Sequence, residues 1–243
     1  MKQATKKKTK KRGKTGKREL LWTIFAAVFF AAVCIGYFGL VNGWYDGLLH
    51  PEPYLEYGSD TSNSYDPDFT HPDTKNNLDL AAFAEEVWDH RWGYVWGTFG
   101  YVLTEERLQM KLDQYPEVGE YEDFIRANWL DRRTTDCAGL VKAYCWYDPA
   151  ENDIGYCVNG VPDCGTEELF AAAEKKGRLG GVFRRIPEVP GLLVYAPGHV
   201  GVYIGDGYVI EAHSTEVGVV KTKLSQRHFR YWFECPYIEY ISE

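Results

Sequence analysis

No two cysteines in this chain stand at CxxC spacing and no two histidines at HxxxH, so the usual zinc frameworks are missing. A glycine-rich loop opening a helix is also missing. Gly205-Asp206-Gly207 falls between β-branched runs, where it reads as a hairpin turn and not as a phosphate loop. No metal, nucleotide or other cofactor is therefore expected, and no internal repeat is present. Acid is nearly absent from the start of the chain: residues 1–19 carry ten lysines and arginines and a single acid, Glu19, against 17 bases and 34 acids in the remainder. Charge then vanishes from Leu20 to Val41, an apolar run of 22 residues, long enough to cross a hydrocarbon core of about 30 Å as a helix. Its length, and the lack of a good small-x-small site beyond Cys34-Ile35-Gly36, favour a retained anchor over a cleaved signal peptide. A basic block against an apolar span argues against nucleic-acid binding. It predicts a cytoplasmic tail at 1–19, a transmembrane helix at 20–41, and everything beyond on the outer side of the cell membrane.

Apolar periodicity is lacking from His50 to Asn77, which is dense in Pro, Asp, Ser and Asn. Residues 42–77 accordingly read as a linker, although its tyrosines and Phe69 could pack. The remaining 78–243 suffices for one self-sufficient core. Leu80, Phe83, Ala84, Val87 and Trp88 mark a helix with one buried face, and two more helical patterns, Thr104 to Gln114 and Glu120 to Leu130, lie within 101–133. A short helix is expected at Glu167 to Lys176. The last third changes period: Leu192 to Tyr195, His199 to Ile204, Tyr208 to His213 and Val217 to Lys223 predict an antiparallel meander.

Two places carry chemistry. Thr135-Asp136-Cys137-Ala138-Gly139-Leu140-Val141 puts Cys137 in the first turn of a helix whose N-cap oxygen comes from Thr135 or Asp136, a position that favours thiolate. Taken alone, such a cysteine is as easily a small buried hydrophobe. In the meander, a three-residue loop Gly205-Asp206-Gly207 pairs Ile204 with Tyr208, Val202 with Ile210 and Val200 with Ala212, which makes one face apolar. The other face then holds His199, Gly201, Glu211 and His213, with Glu211 opposite Gly201 and diagonal to His199. That places a base, His199, beside an orienting carboxylate, Glu211, with His213 as the rival orienter.

Four pieces in order, Tyr94-Val95-Trp96-Gly97, Asp136 to Val141, Pro190 to Val194, and Gly198 to Gly207 running into Val209-Ile210-Glu211-Ala212, resemble the NlpC/p-sixty family of bacterial cell-wall cysteine peptidases. The resemblance covers roughly Leu78 to Ile241. It implies an α+β, papain-like fold with the cysteine helix packed on an antiparallel sheet. It implies Cys137 as nucleophile, His199 as base and Glu211 as third member, with Tyr94 and Asp136 lining the substrate site. The implied substrate is a peptidoglycan stem peptide, cut between D-γ-glutamate and a diamino acid. Three departures bear on specificity. Ala138 stands where the family commonly has serine, Glu211 where His, Asn or Gln is commoner, and the helices of 101–133 look like an inserted cap. Other classes compatible with the same residues are a catalytically silent wall-binding module, and an amidase or acyltransferase with the same Cys-His pair. Cys157 and Cys164 close a short loop that a disulfide could staple, whereas Cys145 and Cys235 have no evident duty.

Overall fold

A computed structural model describes residues 53–60, 62–63, 65–179 and 186–242. The basic tail and the apolar run expected to span the membrane lie outside them; among the described residues no helix is long and apolar enough to cross a membrane. In chain order the elements are β1 (Leu55–Glu56), α1 (Asn77–Asp89), β2 (Gly93–Tyr94), β3 (Phe99–Val102) and α2 (Glu105–Gln114). A 3₁₀ turn (Pro116–Tyr121) leads to α3 (Glu122–Asn128), β4 (Arg133–Thr135), α4 (Cys137–Trp146), β5 (Tyr147–Asp148) and β6 (Asp153–Ile154). Then come α5 (Thr166–Ala172), β7 (Lys176–Arg178), β8 (Leu193–Ala196), β9 (His199–Gly205), β10 (Tyr208–Ser214), β11 (Gly218–Lys223) and β12 (Tyr231–Phe233).

The architecture is mixed α+β, as expected, with a seven-stranded sheet in the order β1-β11-β10-β9-β8-β12-β7, every neighbouring pair antiparallel. Four of its strands are those of the meander. The three short strands β1, β7 and β12 widen it. A separate three-stranded sheet, β2-β4-β3, carries the chain into the cysteine helix.

All ten residues of α4 are buried, so the helix is not amphipathic but a central rod. Its Leu140, Val141 and Tyr144 join Leu80, Phe83 and Ala84 of α1 against Val200, Val202, Ile210 and Ala212, the apolar face that alternation predicts for β9 and β10. Lys142 is buried on this rod only because it pairs with Asp163. The opposite face of the sheet is covered too. Leu192, Val194, Tyr203 and Val209 pack there with Leu224 and Phe229 in a second core. A third, around α2 and α3, gathers Val95, Leu103, Leu108, Val118, Ile125 and Trp129.

Residues 53–77 correct the expectation of a free linker. Leu55 pairs with Thr222 and Glu56 with Lys221, so the segment supplies an edge strand. Tyr65 is buried among the rings of Phe83, Trp92 and Tyr147 at centroid distances of 5.9, 5.4 and 5.4 Å. Asn76 caps α1, its Oδ1 accepting from the Asp79 N–H at 2.9 Å. The reason is aromatic: Pro- and Asp-rich composition abolishes periodicity without abolishing ring burial.

Candidate active site

Tyr94 and Asp136 are placed by the small sheet. Tyr94 on β2 lies parallel to Thr135 on β4, and the next residue, Asp136, leaves the strand in extended geometry to cap α4. Its Oδ1 accepts the Gly139 N–H at 2.6 Å and its Oδ2 the Gly97 N–H at 2.8 Å, so one carboxylate ties the loop after Tyr94 to the start of the cysteine helix. Glycine is required at 139, where a Cβ would stand 2.0 Å from the Thr98 carbonyl oxygen. Burial raises the Asp136 carboxyl above its usual range, against the pull of the Lys142 charge and the two N–H groups.

Cys137 follows at the first position of α4, buried, with Sγ 3.9 Å from the Gly198 carbonyl oxygen. The N–H of Val200 also reaches the sulfur, as do those of Ala138 and of Cys137 itself. The thiol therefore lies against the backbone on both sides of His199. Its pKa runs contrary to the expectation from helix position: burial, with Asp136 adding, pushes it up to about 12, outweighing the three N–H groups. Burial thus favours the thiol form of Cys137 over the thiolate.

His199 and Glu211 meet as the alternation predicts, Nε2 to Oε2 at 2.6 Å. Val202 pairs with Ile210, but the turn is tighter than expected: Tyr208 pairs with Gly205 and Val209 with Tyr203, which leaves Ile204 as a bulge. Asp206 (φ 50°) and Gly207 (φ 78°) both take left-handed backbone, as a two-residue hairpin turn requires. Gly201 gives Glu211 its space, since a Cβ there would stand 3.3 Å from the Glu211 Cβ and 2.6 Å from Val209 Cγ1.

This face is not open to solvent. Glu211 is fully buried and receives, besides His199, the Arg227 Nε at 2.7 Å on Oε1, the Arg227 Nη2 at 2.7 Å on Oε2 and the Thr222 hydroxyl at 2.6 Å on Oε1. Burial alone would raise its carboxyl; the hydrogen bonds from His199 and Arg227 prevail and hold it at about 2. A carboxylate accepts only, so Nε2 of His199 is the donor in this bond and Nδ1 is the ring nitrogen turned away from Glu211. Phe229 stacks on the imidazole at 5.6 Å and 14°. His213, the rival, is half-buried with Nδ1 lacking a partner among the described residues, and burial lowers its pKa.

A cleft of about 440 Å³ opens over the thiol. Tyr94, Asp136, Cys137 and Gly198 line it, whereas His199 and Glu211 do not; they stand beyond Gly198. Lys111, Gln114 and Tyr115, from the C-terminal end of α2, form one wall. Glu167 at the start of α5 accepts the Gly198 N–H at 2.8 Å and thereby holds the strand entry that carries His199.

Arg227, Thr222, Phe229 and Glu167 escape sequence reasoning. Thr222 alternates correctly on β11 and could have been placed; the others sit in irregular stretches with no period. The possible Cys157 and Cys164 bridge is absent, both being free thiols, while the buried thiols of Cys145 and Cys235 hydrogen-bond to each other. Among the described residues no cluster of His, Cys, Asp and Glu is arranged to hold a metal.

What these elements define is a buried thiol at a helix start, lying against the backbone of 198–200, and a histidine of that segment held by a buried carboxylate. No family model matches the chain, and no curated protein or solved structure matches it.

Proposed function

We propose that this chain is a cysteine peptidase of papain-like fold, anchored in the cell membrane by residues 20–41 and facing outward, that hydrolyses peptidoglycan stem peptides. The observation that carries the reading is the Nε2–Oε2 bond of 2.6 Å between His199 and a fully buried Glu211, with the Cys137 sulfur lying against the backbone of 198–200. Nδ1 of His199 takes the thiol proton as sulfur attacks the scissile carbonyl carbon. The positive charge that forms on the imidazolium is balanced by the Glu211 carboxylate, and the negative charge that develops on the carbonyl oxygen lies near the N–H groups that start α4. The imidazolium gives its proton to the departing amine, and water, deprotonated by the same nitrogen, releases the acyl group from sulfur. Tyr94 and Asp136 would bound the peptide on the far side of the thiol. The bond assigned is that between D-γ-glutamate and a diamino acid.

A resting thiol pushed up to about 12 favours a second reading, a wall-binding module that keeps the fold without turnover. An electrophilic peptide probe separates the two. Covalent labelling of Cys137 that disappears in His199→Ala supports the peptidase; labelling at equal rate in both proteins sinks it. Mass analysis of fragments released from purified wall then identifies the bond, and acyl-transfer products in place of free acids would assign the amidase or acyltransferase class instead.

A further inference from the structure

The cleft wall contributed by the inserted helices carries an ammonium without an anion. Lys111 Nζ donates to Gln114 Oε1 at 3.1 Å and lies 5.4 Å from the centre of the Tyr115 ring, and among the described residues it makes no salt bridge. Its head sits above Gly97, where a Cβ would stand 3.2 Å from Nζ. Gly97 is the residue whose N–H holds Asp136, so the ammonium stands over the segment next to the thiol.

The carboxylates of the same cleft are already engaged. Asp163 takes Lys142 and the Tyr156 hydroxyl, the latter at 3.0 Å. Glu167 takes the Gly198 N–H at 2.8 Å and the Thr166 hydroxyl at 2.7 Å. Asp136 takes Gly97 and Gly139. Each is therefore largely satisfied by donors of the protein, whereas Lys111 keeps two of its three N–H groups for a visitor. Burial lowers its pKa, with the Asp136 charge as the largest opposing influence. An anion bound there would offset that desolvation.

We infer that Lys111 is a specificity residue that binds a carboxylate of the substrate, seating an acidic peptide over Cys137. The bond cut rests on the peptidase reading, but the recognition does not require turnover. In a stem peptide two carboxylates qualify, the α-carboxylate of the γ-linked glutamyl residue and the one at the C-terminus.

Three synthetic stem peptides separate these sources: one with both carboxylates free, one with the glutamyl α-carboxylate as carboxamide, one with a C-terminal carboxamide. With the full-length protein, amidating the recognised carboxylate lowers kcat/KM by about 10-fold or more, mainly through KM. Lys111→Met gives the same loss on the free-acid peptide and no longer discriminates between the three, while Lys111→Arg restores the preference. Calorimetry on the Cys137→Ala protein with the same peptides reads binding alone. A ranking retained there with no hydrolysis by the intact protein keeps the carboxylate site and discards the peptidase. An equal effect of Lys111→Met on all three peptides, no binding of any of them, or loss of binding on acetylating the peptide's amine but not on amidating either acid, overturns the inference.

Discussion

Replacing Glu211 tests the orienting role most directly, and the structure changes what the replacement should cost. Read from the sequence, Glu211 lies on an open polar face, where truncation would barely affect stability. It is in fact fully buried beneath Arg227, Thr222 and the His199 ring. Its carboxyl is lowered from 4.5 to about 2. At about 1.4 kcal/mol per pKa unit, the site favours the charged form by on the order of 3 kcal/mol. Glu211→Gln forfeits that preference but keeps shape and one acceptor, so it should be destabilised by about 2–3 kcal/mol at neutral pH and retain partial activity. Glu211→Ala also removes the acceptor of two Arg227 hydrogen bonds and of the Thr222 hydroxyl, and should cost about 3–5 kcal/mol. Its turnover should fall about 100-fold or beyond, measured on muropeptides well below the melting midpoint with the folded fraction checked by circular dichroism. His213→Ala should be mild. Because the folded pKa is depressed, the native protein's advantage over Glu211→Gln should be complete above pH 4.5 and disappear as pH falls toward 2. Near-normal rates for Glu211→Ala with a collapse for His213→Ala would move the orienting role to His213. An advantage over Glu211→Gln that does not change with pH across this window would refute the electrostatic account.

Gly201→Ala should lower both melting temperature and turnover, because the added methyl meets the buried Val209 Cγ1 at 2.6 Å and the Glu211 Cβ at 3.3 Å; unchanged kinetics in the folded fraction would mean the strand yields without moving the carboxylate. Tyr65 should behave as core: Tyr65→Ala costs about 3–5 kcal/mol in denaturant unfolding, whereas Tyr65→Phe, which deletes a buried hydroxyl lacking a partner among the described residues, is neutral or stabilising. A negligible effect of Tyr65→Ala would return 53–77 to the status of a linker. Thiol titration should find Cys157 reactive first and Cys145 and Cys235 protected until unfolding, with the same denatured count before and after reduction. A count that rises by two on reduction would establish a bridge.

Much of the fold is legible where period and burial coincide. The stripe from Leu80 to Val87, the helix expected from Thr104 to Gln114 and the four meander strands all recur within a residue or so. The strands β1, β7 and β12, of two or three residues each, show no period of their own and exist because a longer strand offers them a ladder. The pairing of Val202 with Ile210, and hence of His199 with Glu211, follows from alternation alone; the bulge at Ile204 depends on left-handed φ values that Asp206 can adopt but does not advertise. Polarity misled at Glu211, because Arg227 covers it and Phe229 covers its partner His199, both from a segment without periodicity. The thiol misled for a kindred reason: a helix start is visible in sequence, whereas the burial that governs Cys137 comes from distant neighbours.

The edge strand β1 has a mechanical meaning. A pull from the N-terminal side is borne first by Tyr54, whose N–H donates to Gln226 Oε1 at 2.8 Å and whose ring lies 6.2 Å from that of Tyr208, and then by two ladder positions, Leu55 with Thr222 and Glu56 with Lys221. Such a short ladder holds less backbone pairing than the strands behind it and belongs to the low-stability end of the fold. Thr222 is also the residue whose hydroxyl holds Glu211, so load arriving at the seam is felt one hydrogen bond away from the carboxylate that orients His199.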